Sequence, residues 1–179
     1  MSNAGGSILP LCLEPHPVLR VPAAPVERFD RALKRLTDEL IETMRAHDGI
    51  GIAAPQVGQG IRLFVANPSQ RRGRELIVAN PVIESARGRA DIVEGCLSVP
   101  EIWERVRRSA AIRMRGQNLR GEPEVVEAEG LLAIVLQHEF DHLQGRLFID
   151  RLSWLRRQRV QAKLHQATHR TAMVAAAAA

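Results

Sequence analysis

The order of patterns along the 179-residue chain predicts an α+β fold. It would be a single domain over residues 1–179, with an N-terminal helix, antiparallel or mixed β-sheets around a central helix, and a C-terminal helix. Three observations carry this. One amphipathic helical pattern comes first, a run of strand patterns follows, and helical patterns return only near the end. Strand and helix do not alternate, which argues against a doubly wound α/β arrangement. No internal repeat or linker breaks the chain, and its length suffices to bury one core.

Up to Pro25 the chain is Pro-rich and predicted to be extended. Residues 1–7 are read as disordered or as a cloning remnant, because "SNA" occupies residues 2–4. "SILPLCL" (7–13) is short and lacks a basic flank, so it is not read as a signal peptide. In "ERFDRALKRLTDELIETMRAHDG" (27–49), Phe29, Leu33, Leu36, Leu40 and Met44 recur at helical spacing, and Asp48-Gly49 stops the helix. "IRLFVAN" (61–67) and "RELIVANPVI" (74–83) read as strands joined by the exposed turn "SQRRGR". "DIVEGCLSVP" (91–100) reads as a strand ending near Cys96, with Pro100 as its stop. "RVRRSAAIRMRGQNLRGEPEVVEAEG" (105–130) reads as a hairpin turning at "NLRGEP". A helix over 131–143 is stopped by Gly145, and a last helix over about 153–168 precedes an Ala-rich tail.

Composition narrows the function classes. Apolar residues make up 45% and charged residues 25%, ordinary for a soluble globular protein, and no apolar run approaches membrane-spanning length. Cys12 and Cys96 do not make a disulfide framework, so a reduced, intracellular chain is expected. The net charge of +5 is uneven: six basic and no acidic residues follow Asp150, leaving 19 basic against 20 acidic in residues 1–150. Such a tail suits an anionic surface as well as plain solvation, and no dedicated DNA-binding or membrane feature accompanies it.

The central helix carries the chemistry. "QHEFDHLQG" (137–145) contains His-Glu-x-x-His. Residues four apart share a helix face, so His138 and His142 can grip one cation with Glu139 beside them as a base for the attacking water. The plain alternative is an ordinary helix on which these residues fall by chance. The preceding "LLAIVLQ" would bury the helix, however, and unpartnered imidazoles and a carboxylate are costly to bury. A metal site is therefore favoured.

Two imidazoles leave a ligand missing. The extended zinc-protease motif would need a His at 148, where Phe148 stands, and no Glu follows Glu139. Asp141 lies off the His138/His142 face, and His165 and His169 are read as surface residues of the tail. A donor from upstream is left, in "EGCLSVP" (94–100). There Gly95 permits close backbone approach and Cys96 offers a sulfur ligand. On that segment alone Cys96 reads as a small buried hydrophobe; beside an incomplete two-His site it becomes the candidate. "GIGIAAPQVG" (49–58) superficially fits a dinucleotide fingerprint, but a helix precedes it where a strand is needed. It reads as a tight loop, or as a ligand-facing one in which Gly51 exposes backbone and Gln56 offers an amide donor.

Gly49-Ile50-Gly51-Ile52-Ala53-Ala54-Pro55-Gln56, Glu94-Gly95-Cys96-Leu97-Ser98 and Gln137-His138-Glu139-Phe140-Asp141-His142 resemble the three signature motifs of the peptide deformylases, in the family's order. "PHPVLR" (15–20) and Asn80-Pro81 resemble weaker landmarks. The likeness spans about residues 15–150, with Ile52 where Leu is commoner.

The resemblance implies a bacterial cytoplasmic enzyme that hydrolyses the N-formyl group from the initiator methionine of nascent polypeptides, releasing formate. It implies Cys96, His138 and His142 as ligands of one divalent ion, usually Fe2+, with Zn2+, Ni2+ or Co2+ sharing the same ligand preferences. Glu139 would carry the proton, while the Gln56 amide and the Leu97 backbone N–H would hold the oxyanion. Ile50, Leu131, Ile134 and Val135 are candidates for the methionine pocket, and Gly51 and Gly95 for backbone pairing with substrate. The partners implied are N-formylmethionyl peptides, with ribosome contact through the basic C-terminal helix as an added expectation. The rivals are a metallopeptidase cutting internal bonds, a cysteine hydrolase using Cys96, and a non-enzymatic RNA-binding module.

Overall fold

The computed structural model describes residues 6–177. Helix α1 (Arg31–Ala46) comes first, then seven strands: β1 (Gly51–Ala53), β2 (Leu63–Ala66), β3 (Leu76–Arg87), β4 (Ala90–Cys96), β5 (Val99–Arg108), β6 (Ala111–Gln117) and β7 (Pro123–Glu129). Helices α2 (Gly130–Leu143) and α3 (Trp154–Ala177) close the chain. The predicted α+β order is therefore the observed one. Of residues 1–7, 1–5 lie outside the described residues while Gly6 and Ser7 are among them; the side chains of His165 and His169 also lie outside.

Local chemistry accounts for α1. Asp30 caps it, its carboxylate accepting from the N–H groups of Ala32 and Leu33 at 2.9 and 3.1 Å. Beyond the last turn Asp48 takes φ 53° and the Gly49 N–H closes on the Met44 carbonyl at 2.8 Å.

Five strands form one antiparallel sheet in the order β1-β2-β3-β6-β7, and β4 pairs with β5 in a separate ribbon. Strand β2 is buried on both sides, and its alternation sorts the core into two layers. Phe64 and Ala66 meet Ala133, Leu136 and Leu143 of α2 in one apolar cluster. Leu63 and Val65 meet Leu33, Leu40 and Met44 of α1 in another. The sheet is thus sandwiched between the two helices. A third cluster joins β5 to the segment after α2 through Val99, Val106, Leu147 and Phe148.

Four sequence expectations change. Pro100 does not end a strand: Leu97-Ser98 is a two-residue turn, and Pro100 lies inside β5. The pairing slips between Glu94↔Glu104 and Cys96↔Val99, and this irregularity, with Glu101 at φ 62°, accommodates the proline. The 105–130 stretch is not one hairpin, because residues 105–108 pair with β4 while β6 and β7 form the hairpin. The 49–58 segment holds a short edge strand followed by a 3-10 turn over Ala54–Val57. Finally, α3 runs to Ala177 and not to about 168. Among the described residues no helix is long and apolar enough to cross a membrane.

Candidate active site

Three separate elements meet where β1, the β4–β5 ribbon and α2 converge. Helix α2 contributes His138, Glu139 and His142. Its apolar face, with Ile134, Val135 and Leu136 buried, fixes its rotation on the sheet. Gln137 then ties it to the corner between β5 and β6. Its amide nitrogen donates to the carbonyls of Ser109 and Ala133 at 2.9 Å each, and its oxygen accepts from the Ser109 N–H at 3.0 Å.

Cys96 arrives at the end of β4, just before the Leu97-Ser98 turn. Its sulfur lies 3.3 Å from His142 Nε2. The donor atoms of Cys96, His138 and His142 all lie within 4.8 Å of one another, with both imidazoles buried. Metal–sulfur bonds of about 2.3 Å and metal–nitrogen bonds of about 2.0–2.1 Å place tetrahedral donors about 3.3–3.6 Å apart. The cluster therefore fits one cation after small side-chain shifts. The orphaned Glu139 Oε2, buried without a hydrogen-bond partner, points to the same conclusion. A thiolate and two neutral imidazoles would leave a divalent ion near +1, with a coordination position open.

Residues to which no local motif gave a role aim these candidate donors. Glu94 is buried, and its carboxylate meets His138 Nδ1 at 2.8 Å. Burial alone would raise the Glu94 carboxyl, but its bonds to Arg108 and His138 outweigh this and hold it at about 2. Being ionised, it can only accept, so Nδ1 carries the proton and Nε2 faces the donor cluster. Ser98, fully buried, accepts from the Gln56 amide nitrogen at 3.2 Å. Phe148 stacks on the His138 ring at 6.0 Å between centroids and 22° between planes. The signal for Glu94 was its place two residues before Cys96. Nothing local marked Phe148.

The electrostatics divide the two imidazoles. Burial works against a charged His138, yet bonds to the Cys96 sulfur and Glu94 hold it well above the ordinary value. His142 is pushed well below, by burial first and then by the charges of His138 and Arg108. Glu139, also buried, is pushed up to about 7 by loss of solvent, against the pull of His138 and Arg108. A carboxyl in that range can both take up and return a proton near neutral pH.

Gln56 is 1% exposed, and its orientation is set from one end. Its side-chain oxygen accepts from the Ala53 N–H at 2.8 Å, which turns the NH2 toward Ser98 and the Cys96 sulfur, 3.5 Å away. The Leu97 backbone lies in the adjacent turn.

These groups open into a cleft of about 1170 Å³. All six residues read as substrate-binding candidates, Ile50, Gly51, Gly95, Leu131, Ile134 and Val135, line it. The two glycines have added reasons to lack a side chain. A Cβ on Gly51 would collide with Glu139, and one on Gly95 would lie 2.8 Å from the Trp103 ring. Asp141 is not among the donors, being held by Arg108 and Arg151.

Comparison with known proteins bears on this arrangement. A family model described as polypeptide deformylase matches residues 8–158. The peptide deformylase of Alkalilimnicola ehrlichii is 44% identical over 161 residues, covering 89% of this chain and 90% of that one. The fold is also similar to the crystal structure of a peptide deformylase from Legionella pneumophila, with TM-score 0.87, 37% identity, and 93% and 98% of the two chains covered. For the peptide deformylase from Thermus thermophilus the TM-score is 0.84 at 43% identity, covering 91% of this chain and 96% of that one.

Proposed function

Because the chain belongs to the polypeptide deformylase family, we propose that its cleft removes the formyl group from N-formylmethionyl peptides, with Cys96, His138 and His142 holding one divalent cation. The carrying observation is the meeting of a sulfur from β4 with two imidazoles of α2, beside a buried carboxyl and an aimed amide. The chain is a metal-dependent hydrolase acting on nascent formylated chains, and cleavage of internal peptide bonds is not favoured.

The bound cation supplies Lewis acidity toward the formyl carbonyl and the attacking water. This chain's residues do the rest. Glu139 accepts the proton of the attacking water, holds it in the buried pocket, and returns it to the departing amine nitrogen. The Gln56 NH2 and the Leu97 N–H face the oxygen on which charge develops. Ile50, Leu131, Ile134 and Val135 provide the apolar wall for the methionine side chain. Such a wall favours methionine without excluding similar side chains. Backbone at Gly51 and Gly95 borders the cleft on two sheet edges, where an extended peptide can pair.

We take Fe2+ as the ion because the family resemblance implies it; the thiolate and imidazole donors suit Zn2+, Ni2+ and Co2+ equally well. The work belongs in the bacterial cytoplasm, beside the ribosome. Three tail arginines are already engaged within the chain, Arg151 with Asp141, Arg156 with Glu104 and Arg157 with Asp150. Among the described residues, ribosome contact would therefore fall to Arg159 and Lys163.

The test is formate release from a formyl-Met peptide, before and after chelation, with wild type and Cys96→Ser. Loss on chelation, recovery with added metal and an inactive Cys96→Ser are expected. Activity that survives chelation but dies on alkylation would instead make Cys96 a nucleophile, and cleavage of internal bonds would restore the metallopeptidase reading.

A further inference from the structure

A buried cluster of charge continues behind the Glu94 carboxylate, away from the cleft. The Arg108 side chain, 0% exposed, donates through Nε and one terminal nitrogen to both oxygens of Glu94, at 2.7 and 2.8 Å. Its other terminal nitrogen donates to Asp141 on α2. Asp141 is gripped again by Arg151, whose Nε and a terminal nitrogen reach its two oxygens at 2.6 Å each. Glu94 in turn accepts from His138 Nδ1. A chain of charge-assisted bonds thus runs from an arginine that is 40% exposed to an imidazole in the donor cluster.

Arg151 ends a short 3-10 turn over Phe148–Arg151, and that turn touches His138 a second time. Its first residue, Phe148, stacks on the His138 ring. The turn is itself anchored. Asp150 accepts from Arg20 at 2.6 Å and from the Leu147 N–H at 2.9 Å.

Resting on the reading of His138 as a metal ligand, we infer that this turn is a brace for His138, in which Arg151 is a positioning residue acting through Asp141, Arg108 and Glu94. Two guanidinium groups face two carboxylates, so the charges of these four side chains balance. Without Arg151, two buried carboxylates share one guanidinium. Arg108 is then drawn toward Asp141, its two-pronged hold on Glu94 loosens, and Glu94 no longer fixes the His138 ring. The low dielectric that makes a balanced cluster rigid makes the unbalanced one costly. Phe148 supplies the ring with a wall, while the electrostatic chain sets its rotation.

The experiment compares Arg151→Met and Arg151→Lys with Arg156→Met, which breaks the Arg156–Glu104 pair at a matching 39% exposure. Two readouts are taken: the Co2+ dissociation constant, by competition with a chelator, and the His138 Nδ1 proton resonance of the metal-free protein. Loss of a group that orients a ligand costs about 10–100-fold in metal affinity. Arg151→Met should weaken Co2+ binding by about tenfold, the lower end of that range, and shift the resonance. Arg151→Lys, which keeps the charge but not both bonds, should fall between; Arg156→Met should change neither. An unmoved resonance or an unchanged Co2+ constant in Arg151→Met overturns the brace, as does an equal effect of Arg156→Met. If Arg151→Met does not fold, Arg151→Lys is judged by the same two criteria. Wild type taking up no Co2+ would sink the ligand reading, and the resonance alone would then decide the brace.

Discussion

Glu139 occupies the space that a side chain on residue 51 would need, for a Cβ built on Gly51 would lie 2.3 Å from Glu139 Oε1. The glycine of the edge strand and the carboxyl of α2 are therefore one unit, and Gly51→Ala must push the carboxyl aside. A shift near 1 Å at a reacting group costs on the order of 10²-fold in rate. Formate release by Gly51→Ala should fall about that much, with metal per chain unchanged. Near-normal turnover in this variant would show that Glu139 does not act from its observed place.

Gln56 is held at its oxygen and offers its nitrogen to the site. Gln56→Leu should lower kcat by about 10²–10³-fold, more than it raises KM, if the amide meets charge that develops during the reaction. It also strands the Ala53 N–H, which costs roughly 1–3 kcal/mol, so a melting curve must accompany the kinetics. A raised KM with kcat intact would move Gln56 to substrate binding.

Glu94 makes acid stability measurable. Burial opposes its ionisation, but Arg108 and His138 win and hold the folded carboxyl at about 2, below its ordinary 4.5. A depressed acid stabilises the fold fully above the unfolded value, and that contribution drains as pH falls toward the folded one. Unfolding of the metal-free protein should therefore become easier from about pH 4.5 down to about 2, and Glu94→Gln should flatten this dependence. Equal slopes for both proteins would mean that the Glu94 bonds contribute nothing net.

Gly145 sits just past α2 at φ 68°, and a Cβ there would lie 2.8 Å from the Arg20 backbone. Gly73 has a similar φ of 76° with nothing within 4 Å. Gly73→Ala should cost about 1–2 kcal/mol from the left-handed backbone alone. Gly145→Ala should cost more, because the chain at Arg20 must also move. Urea unfolding of the two variants separates strain from collision, and equal costs would show that the Arg20 segment yields freely.

Some of this was legible in local pattern. The spacing of Leu33, Leu36, Leu40 and Met44 requires a helix buried on one face, and Asp30 is a strong cap; both are properties of neighbours in sequence. The same holds for His138 and His142, whose shared face follows from a four-residue step. The β4–β5 ribbon was harder to see. Pro100 looks like a stop, yet an irregular pairing lets it stand within a strand, and that irregularity exists only between two strands. The two glycines of the cleft read as places for substrate backbone, while their occupants, Glu139 and the Trp103 ring, lie 88 and 8 residues away along the chain.

By itself the sequence determined the order of elements, the helix faces and the kinds of atom available: one sulfur, two imidazoles, a carboxyl and an amide, each in its motif. Only the tertiary structure decided how they are aimed. It put Glu94 behind His138, Phe148 against its ring, and Arg108 between two carboxylates of different segments. The reason is physical: periodicity reports forces between residues a few positions apart. Orientation at a site comes from burial and charge balance among segments that meet only when the core closes.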